Sequence, residues 1–319
     1  MKGTYEVKIY NSRISFTIKL ERNITVIRGD SATGKTTFVE MLQSFEQYGR
    51  SSGVTVQCSR PCRVLTSVDW EYRLGGIAQS IVFLDEGNEF VKSEAFARAV
   101  RSSTNYFVII TRENLYQLPY SVKSILKLKT TNRRAKTYVR SYPIYDHLDD
   151  PVEQINHVER IVTEDSNSGH EMFSHIAQQN GIACVSAMGK SNVFGLLADH
   201  PEERMLVIAD GAAFGAELEK IHRLLEQRPN KIILYLPESF EWLILRSGIL
   251  GNKTPTAILR DPSVYIESER YFSWGQFFTM LLTELTAGSP LQYNKRHLNS
   301  AYLHPANVEK VLDAMAEEG

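Results

Sequence analysis

Apolar and polar positions alternate with period two over residues 5–10 and 13–20, on either side of Asn11 and Ser12. That pattern predicts a β-hairpin. Ile24, Val26 and Ile27 supply the β-branched run of a following strand. Phe38, Met41, Leu42 and Phe45 then recur at helical spacing, predicting an amphipathic helix that ends near Gly49. A short strand is expected over 54–58, and 62–76 reads as irregular or partly helical. The apolar runs at 81–84 and 106–110 predict buried strands, with a helix over 93–101 between them. Residues 125–128 and 137–142 read as a second hairpin around 131–135.

The segment PIYDHLDDP at 143–151 is proline-bracketed and acidic, and it marks a domain boundary. The division expected is 1–148 and 149–319. Beyond it strands at 160–163, 182–187, 205–209 and 231–236 alternate with helices over 170–180 and 217–227. Four strands with intervening helices argue for a second, parallel sheet. From Phe272 the chain reads as helical, with Trp274, Phe277, Phe278, Met280, Leu281 and Leu282 closing a core. The fold class expected is α/β, with one sheet domain followed by another and a helical C-terminal tail.

Chemistry enters at the end of the third strand. Gly29, Asp30, Ser31, Ala32, Thr33, Gly34, Lys35 and Thr36 spell G-x-x-x-x-G-K-T, the phosphate-binding P-loop, with Thr37 continuing into the helix. The glycines let successive N–H groups converge on phosphates. Lys35 can reach the β- and γ-phosphates of ATP, and the Thr36 hydroxyl can ligate Mg²⁺. The strand at 81–84 closes on Asp85 and Glu86. A Walker B reading gives Asp85 the Mg²⁺ and Glu86 the attacking water; a solvated acidic turn is the plainer reading. Arg112 stands where it can stabilise transition-state charge, and a surface arginine fits the position as well.

Between 121 and 142, Lys123, Lys127, Lys129, Arg133, Arg134, Lys136 and Arg140 occur with no acidic residue. The run suits a DNA or RNA backbone; a solvated edge protected against aggregation is the alternative. Residues 5–142 resemble an ABC-type ATPase core (ABC/RecA-like), with antiparallel strands before the P-loop and an Asp-Glu Walker B. The signature LSGGQ of that family has only a faint echo here, Leu74-Gly75-Gly76, close to the Walker B strand. An ATPase partnered through a second copy is what the resemblance implies, and this departure bears on it.

Glu164, Asp210 and Glu238 each follow an apolar strand of the second region at once or within two residues. In a parallel sheet those ends share one edge. Three carboxylates there would suit Mg²⁺ or Mn²⁺ and phosphodiester chemistry, although acids at strand ends are common. Their order resembles a Toprim domain, and ESFEWLIL at 238–245 resembles the E-x-x-E-N-Y-L segment of Toprim-like nucleases. An ATPase followed by Toprim is similar to the OLD-family nucleases and related phage-defence proteins. The resemblance implies Glu164 as acid/base or metal ligand and Asp210 as first member of a D-x-D pair. Ala212 stands where the second aspartate belongs, so either Glu238 and Glu241 compensate or the domain is a silent scaffold that binds a partner protein. The adjacent Asp85-Glu86 pair and the lack of a lid segment weigh against a small-molecule kinase. His170 and His175 do not share a helix face and make a poor metal pair.

Composition changes this picture little. The 319 residues are 43% hydrophobic and 23% charged with a net charge of −1, so a nucleic-acid site must be a local patch. Cys58, Cys62 and Cys184 form neither a disulfide framework nor a zinc pattern. No apolar run reaches membrane-spanning length, and a cytoplasmic protein with no membrane partner is expected.

Overall fold

The computed structural model describes residues 1–29, 34–66, 69–133, 136–144, 152, 155 and 157–317. Contacts divide the chain into two units, Met1–Tyr145 with Asp261–Phe272, and Asp146–Arg260 with Ser273–Gly319. Residues 261–272 thus return to the first unit, an excursion that one cut between 148 and 149 does not contain. Gly3 N donates to Ser263 O at 2.6 Å and Asn23 Nδ2 to Phe272 O at 3.1 Å, which fastens that segment. Most of the linker at 143–151 lies outside the described residues. No helix among the described residues is long and apolar enough to cross a membrane.

Among the described residues the first unit carries nine strands: β1 Tyr5–Tyr10, β2 Ile14–Leu20, β3 Ile24–Arg28, β4 Thr55–Gln57, β5 Cys62–Val64, β6 Ile81–Leu84, β7 Tyr106–Ile110, β8 Ile125–Arg133 and β9 Lys136–Pro143. Their order in the sheet is β4-β1-β2-β9-β8-β3-β7-β6-β5. β8, β3, β7, β6 and β5 run parallel, and β3, β6 and β7 are buried throughout, which explains the unbroken apolar runs of β6 and β7. β1 alternates buried and exposed, as a sheet with one wet face requires. Asn11 Oδ1 closes the β1–β2 turn by accepting from Arg13 N at 2.8 Å and Ile14 N at 2.9 Å.

Helix α1, Lys35–Tyr48, buries Phe38, Val39, Met41 and Leu42. Phe38 meets Phe16 and Phe83 edge-on, each at 5.3 Å between ring centroids, so one ring joins the helix to both wings of the sheet. β4 and β5 are the two edge strands, yet residues 58–61 alone connect them. Such a connection spans at most about 18 Å, whereas nine flat strands measure about 38 Å across. The sheet therefore coils back, and α1 packs against β1, β4 and β5 together. Residues 62–76 contain β5 and the short helix α2, Trp70–Gly75, where the pattern had suggested no strand. α3, Glu94–Arg101, is capped by Ser93 Oγ accepting from Phe96 N at 3.1 Å.

β8 and β9 pair antiparallel over their whole length, Leu126 opposite Pro143 through Arg133 opposite Lys136. Leu126, Leu128 and Val139 face the core. The opposite face carries Lys127 against Tyr142, Lys129 against Arg140, and Thr131 against Tyr138.

The second unit has a parallel sheet in the order β11-β10-β12-β13, from β10 Arg160–Thr163, β11 Ala183–Ser186, β12 Met205–Ile208 and β13 Ile232–Tyr235. Helices α4 Ser168–Gln179, α5 Lys190–Asp199 and α6 Gly215–Gln227 alternate with them. α7, Phe240–Arg246, is buried from Phe240 to Leu245, and α8 is Thr256–Arg260. α9 Trp274–Thr286 and α10 Pro305–Ala316 both pack against α7.

Candidate functional site

Gly29 leaves β3 with φ of 133° and Gly34 precedes α1 with φ of 83°. Side-chain-bearing residues avoid that region, so both glycines are required by the backbone they adopt. Asp30, Ser31, Ala32 and Thr33 lie outside the described residues. α1 starts without a side-chain cap hydrogen bond and without an acidic residue in its first turn. Among the described residues no side chain caps its leading N–H groups, and the positive end of its dipole favours an anion. Lys35 is buried and its Nζ donates to the Gly29 carbonyl oxygen, while Thr36 and Thr37 are exposed. The two threonines thus present their hydroxyls where the lysine folds inward.

β6 runs parallel to β3 across β7, so Asp85 and Gly29 end on one edge of the sheet. Burial raises the Asp85 carboxyl above its ordinary range; Glu86 and Glu40 add to this, and the nearby Lys35 opposes it. Asp85 Oδ1 accepts from Glu86 N at 2.8 Å. The Glu86 carboxylate pairs with Arg112 Nε at 2.9 Å, which brings the candidate water-positioning glutamate and the arginine of the β7 end into one ion pair. The Thr36 hydroxyl and the Asp85 carboxylate are hard oxygen donors of the kind Mg²⁺ takes, so this donor set fits that ion. Arg28, buried at the end of β3, donates through Nη2 to Asn114 Oδ1 at 2.5 Å, Tyr120 Oη at 3.0 Å and Glu113 O at 3.3 Å. It therefore ties the strand before Gly29 to the segment that follows Arg112.

In the second unit the chain leaves β10 for β11 on one side and continues to β12 on the other, so the C-terminal ends of β10 and β12 flank a topological switch point. Glu164 and Asp210 sit there. Glu164 Oε2 accepts from Asp210 N at 2.9 Å, and Asp210 Oδ1 accepts from Phe240 N at 3.2 Å at the start of α7. Ser239 caps the same helix, its Oγ accepting from Trp242 N at 3.2 Å. Gly211 N and Ala212 N donate to Pro237 O at 2.6 Å and Glu238 O at 3.2 Å. A cleft of about 30 Å³ lies beside Glu164, His170, Asp210 and Phe240, room for about one water. His170 bonds to Thr163 Oγ1 at 2.8 Å and Ser174 Oγ at 3.2 Å, and His175 bonds to Gln179 at 3.0 Å.

Burial pushes Asp210 well above the ordinary carboxyl range; Glu164 and Glu241 add to this and Lys295 opposes it. Glu164 is raised by burial too, against the pull of Lys190 and Lys295. The carboxylate of α7 that belongs to this cluster is Glu241. Its Oε1 takes the Lys295 ammonium at 2.9 Å and the Tyr293 hydroxyl at 2.6 Å. Against the burial that would raise it, Lys295 and Tyr293 hold Glu241 below its ordinary range. Lys295 Nζ also lies 3.9 Å from Asp165 Oδ2, and Tyr293 Oη is 2.6 Å from Ser168 Oγ. Lys190 Nζ donates to Ala213 O at 2.9 Å.

Glu238, expected as a metal ligand, is buried after β13. Among the described residues no three His, Cys, Asp or Glu side chains assemble in a metal-holding group. Two ammonium groups, from Lys190 and Lys295, instead supply positive charge to the acidic edge. Ala212 offers no donor, so the second member of a D-x-D pair is missing from this set. Lys295 and Tyr293 had no signal in the sequence, standing in a polar stretch between α9 and α10. Arg28 looked like the last residue of an ordinary strand.

No protein-family model matches the chain, and no curated protein matches it at a significant level.

Proposed function

We propose that the chain is a P-loop nucleotide-binding protein, an ATPase, whose ATP state controls the second, Toprim-like unit. The observation that carries the reading is the Lys35 ammonium folded onto Gly29 beneath a helix N-terminus that no described side chain caps, with Asp85 on the same sheet edge. Lys35 turns from the Gly29 carbonyl to the β- and γ-phosphates, and the first-turn N–H groups of α1 orient them. Thr36 and Asp85 would hold Mg²⁺, which neutralises phosphate charge when bound. Glu86 positions the attacking water once Arg112 lets go of it, and Arg112 is then free to meet charge on the phosphates.

The second unit acts as a scaffold for a partner protein or a second copy of the chain. Amide hydrogen exchange with and without Mg-ATPγS tests the control. Protection gained over 205–212 and 239–246 in the wild type, and absent in Lys35→Ala, is expected; exchange in the second unit that ignores nucleotide would refute it. A second reading, metal-dependent phosphodiester cleavage of the OLD type, has the meeting of Glu164 and Asp210 in its favour. Nicking of supercoiled plasmid with Mn²⁺, lost in Glu164→Ala, would establish it.

A further inference from the structure

The β8–β9 hairpin has one face in the core and one face of cations and tyrosines. Lys129 and Arg140 stand directly opposite each other, a like-charged cross-strand pair that costs stability rather than adding to it. Arg133 and Lys136 repeat the arrangement nearer the turn. Among the described residues, none of these four cations, nor Lys127, forms an ion pair. Lysines of the neighbouring strands behave differently: Lys8 pairs with Glu6 and Lys19 with Glu21, each at 2.6 Å. The charge on the hairpin is therefore left for something outside it.

The tyrosines on this face are displayed. Tyr138 and Tyr142 are 38% and 40% exposed. Lys129 Nζ lies 5.0 Å from the Tyr142 ring centroid, and Lys136 Nζ lies 5.2 Å from that of Tyr10 and 6.0 Å from that of Tyr138. Tyr10 belongs to the same surface. It pairs with Ser15 on β2, and Ser15 pairs with Tyr138 on β9, so all three rings share one face. Tyr138 and Tyr142 are about 13 Å apart along the strand, and Tyr10 is about 10 Å from Tyr138 across two strands. Each ring has a basic group beside it.

We propose that this face of the sheet binds single-stranded nucleic acid, with the lysines and arginines on its phosphates and Tyr138 and Tyr142 stacked on its bases. Charge alone would suit any polyanion. Exposed rings interleaved with cations on an open sheet favour a strand whose bases are free to stack. A duplex hides its base faces, and a broad sheet does not enter its grooves. The assignment stands apart from nucleotide binding at Lys35, because it concerns other residues and needs no ATP.

The test is fluorescence anisotropy of a labelled oligothymidylate of about 20 nucleotides, titrated with the full chain at several salt concentrations without ATP. Binding should weaken linearly in log–log form with salt. Lys129→Gln with Arg140→Gln should flatten that slope by about 0.7 for each phosphate contact removed. Tyr138→Ala and Tyr142→Ala should each weaken binding roughly tenfold and leave the slope unchanged. All four side chains are exposed, so unchanged circular dichroism is expected and serves as the check on folding. The proposal is overturned by absence of binding at low salt, by tyrosine variants that bind like the parent, or by equal affinity for the matching duplex. Displacement of the oligonucleotide by anionic phosphatidylserine vesicles at equal charge would overturn it in favour of a membrane surface. Retention of binding by Lys35→Ala separates this result from the fate of the ATP reading.

Discussion

Gly211 connects Asp210 to the strand end opposite it, and Gly211→Ala is the sharpest perturbation of the acidic edge. A Cβ built there would overlap the Leu236 carbonyl oxygen and stand 2.9 Å from that of Pro237 and 3.1 Å from the Leu236 carbonyl carbon. The obstacles are backbone atoms, so no rotamer change relieves them. Carbon–oxygen contacts settle near about 3.3 Å or more, so the end of β13 would have to retreat by close to ~1 Å. That movement stretches Gly211 N to Pro237 O, now 2.6 Å, and Ala212 N to Glu238 O, now 3.2 Å. Overpacking costs about 1–3 kcal/mol, and weakening a buried backbone hydrogen bond adds about 1–3 kcal/mol. A loss of about 2–6 kcal/mol is expected, or about 4–24 °C in the melting transition of a unit this size. Thermal unfolding followed by circular dichroism measures it, with exchange at 205–212 and 232–245 to locate it. Gly195→Ala is the control: it lies in α5 with nothing within 4 Å of its Cβ position, so a gain of up to about 1 kcal/mol is expected. A Gly211→Ala chain as stable as the parent would mean that the ends of β12 and β13 do not meet, and that Asp210 is not set against α7 in this way.

Lys295→Met should cost about 2–4 kcal/mol by stranding the buried Glu241 carboxylate, with some of the loss offset by solvent around the half-exposed lysine. In an Asp85→Ala background without nucleotide, added Mn²⁺ should leave the melting temperature of the Lys295-containing chain unchanged; a marked rise would show that the acidic edge takes a metal after all. Tyr120→Phe removes one acceptor from the buried Arg28 and should lower stability by about 1–2 kcal/mol in urea unfolding, and a change under about 0.5 kcal/mol would mean that Arg28 does not depend on it. Cys58, lowered to about 6 chiefly by the hydrogen bond from Cys62, carries its reactive thiolate above that pH. Its alkylation by iodoacetamide should rise through pH 6 and level off by pH 7, while Cys184, raised by burial, stays slow. Cys62→Ala should shift the Cys58 midpoint upward, and an unmoved midpoint would show that Cys62 does not set it.

Elements whose pattern matched their surroundings were legible. β6 and β7 are buried on both faces and read as unbroken apolar runs, and β3 read from its β-branched residues; α1 buries one stripe and read as an amphipathic helix. β5 was illegible because three residues, Cys62, Arg63 and Val64, are too few to show a period and only Val64 is fully buried. The β8–β9 hairpin read as too short, since β8 beyond Leu128 is polar on both faces and owes its strand form to pairing. At the second site, both Glu238 and Glu241 follow β13 closely. Which of them joins Asp210 depends on where Ser239 starts α7, a matter of backbone geometry rather than residue type. Lys295 could not be read at all, because its partners lie 54 and 130 positions away in the chain. The return of 261–272 to the first unit rests on backbone hydrogen bonds such as that of Gly3 to Ser263, which leave no mark on composition.

The measurement that bears most directly on the proposed nucleotide site is equilibrium binding of a fluorescent ATP analogue in the presence of Mg²⁺, wild type against Lys35→Ala, with Thr36→Ala compared with and without the metal. Expected is saturable one-site binding to the wild type, weakened about a hundredfold or more in Lys35→Ala, as loss of a buried charged partner to phosphate implies. Thr36→Ala should lose affinity only when Mg²⁺ is present. Undiminished binding by Lys35→Ala, or no binding by the wild type, would contradict the assignment of residues 29–37 as the site of ATP.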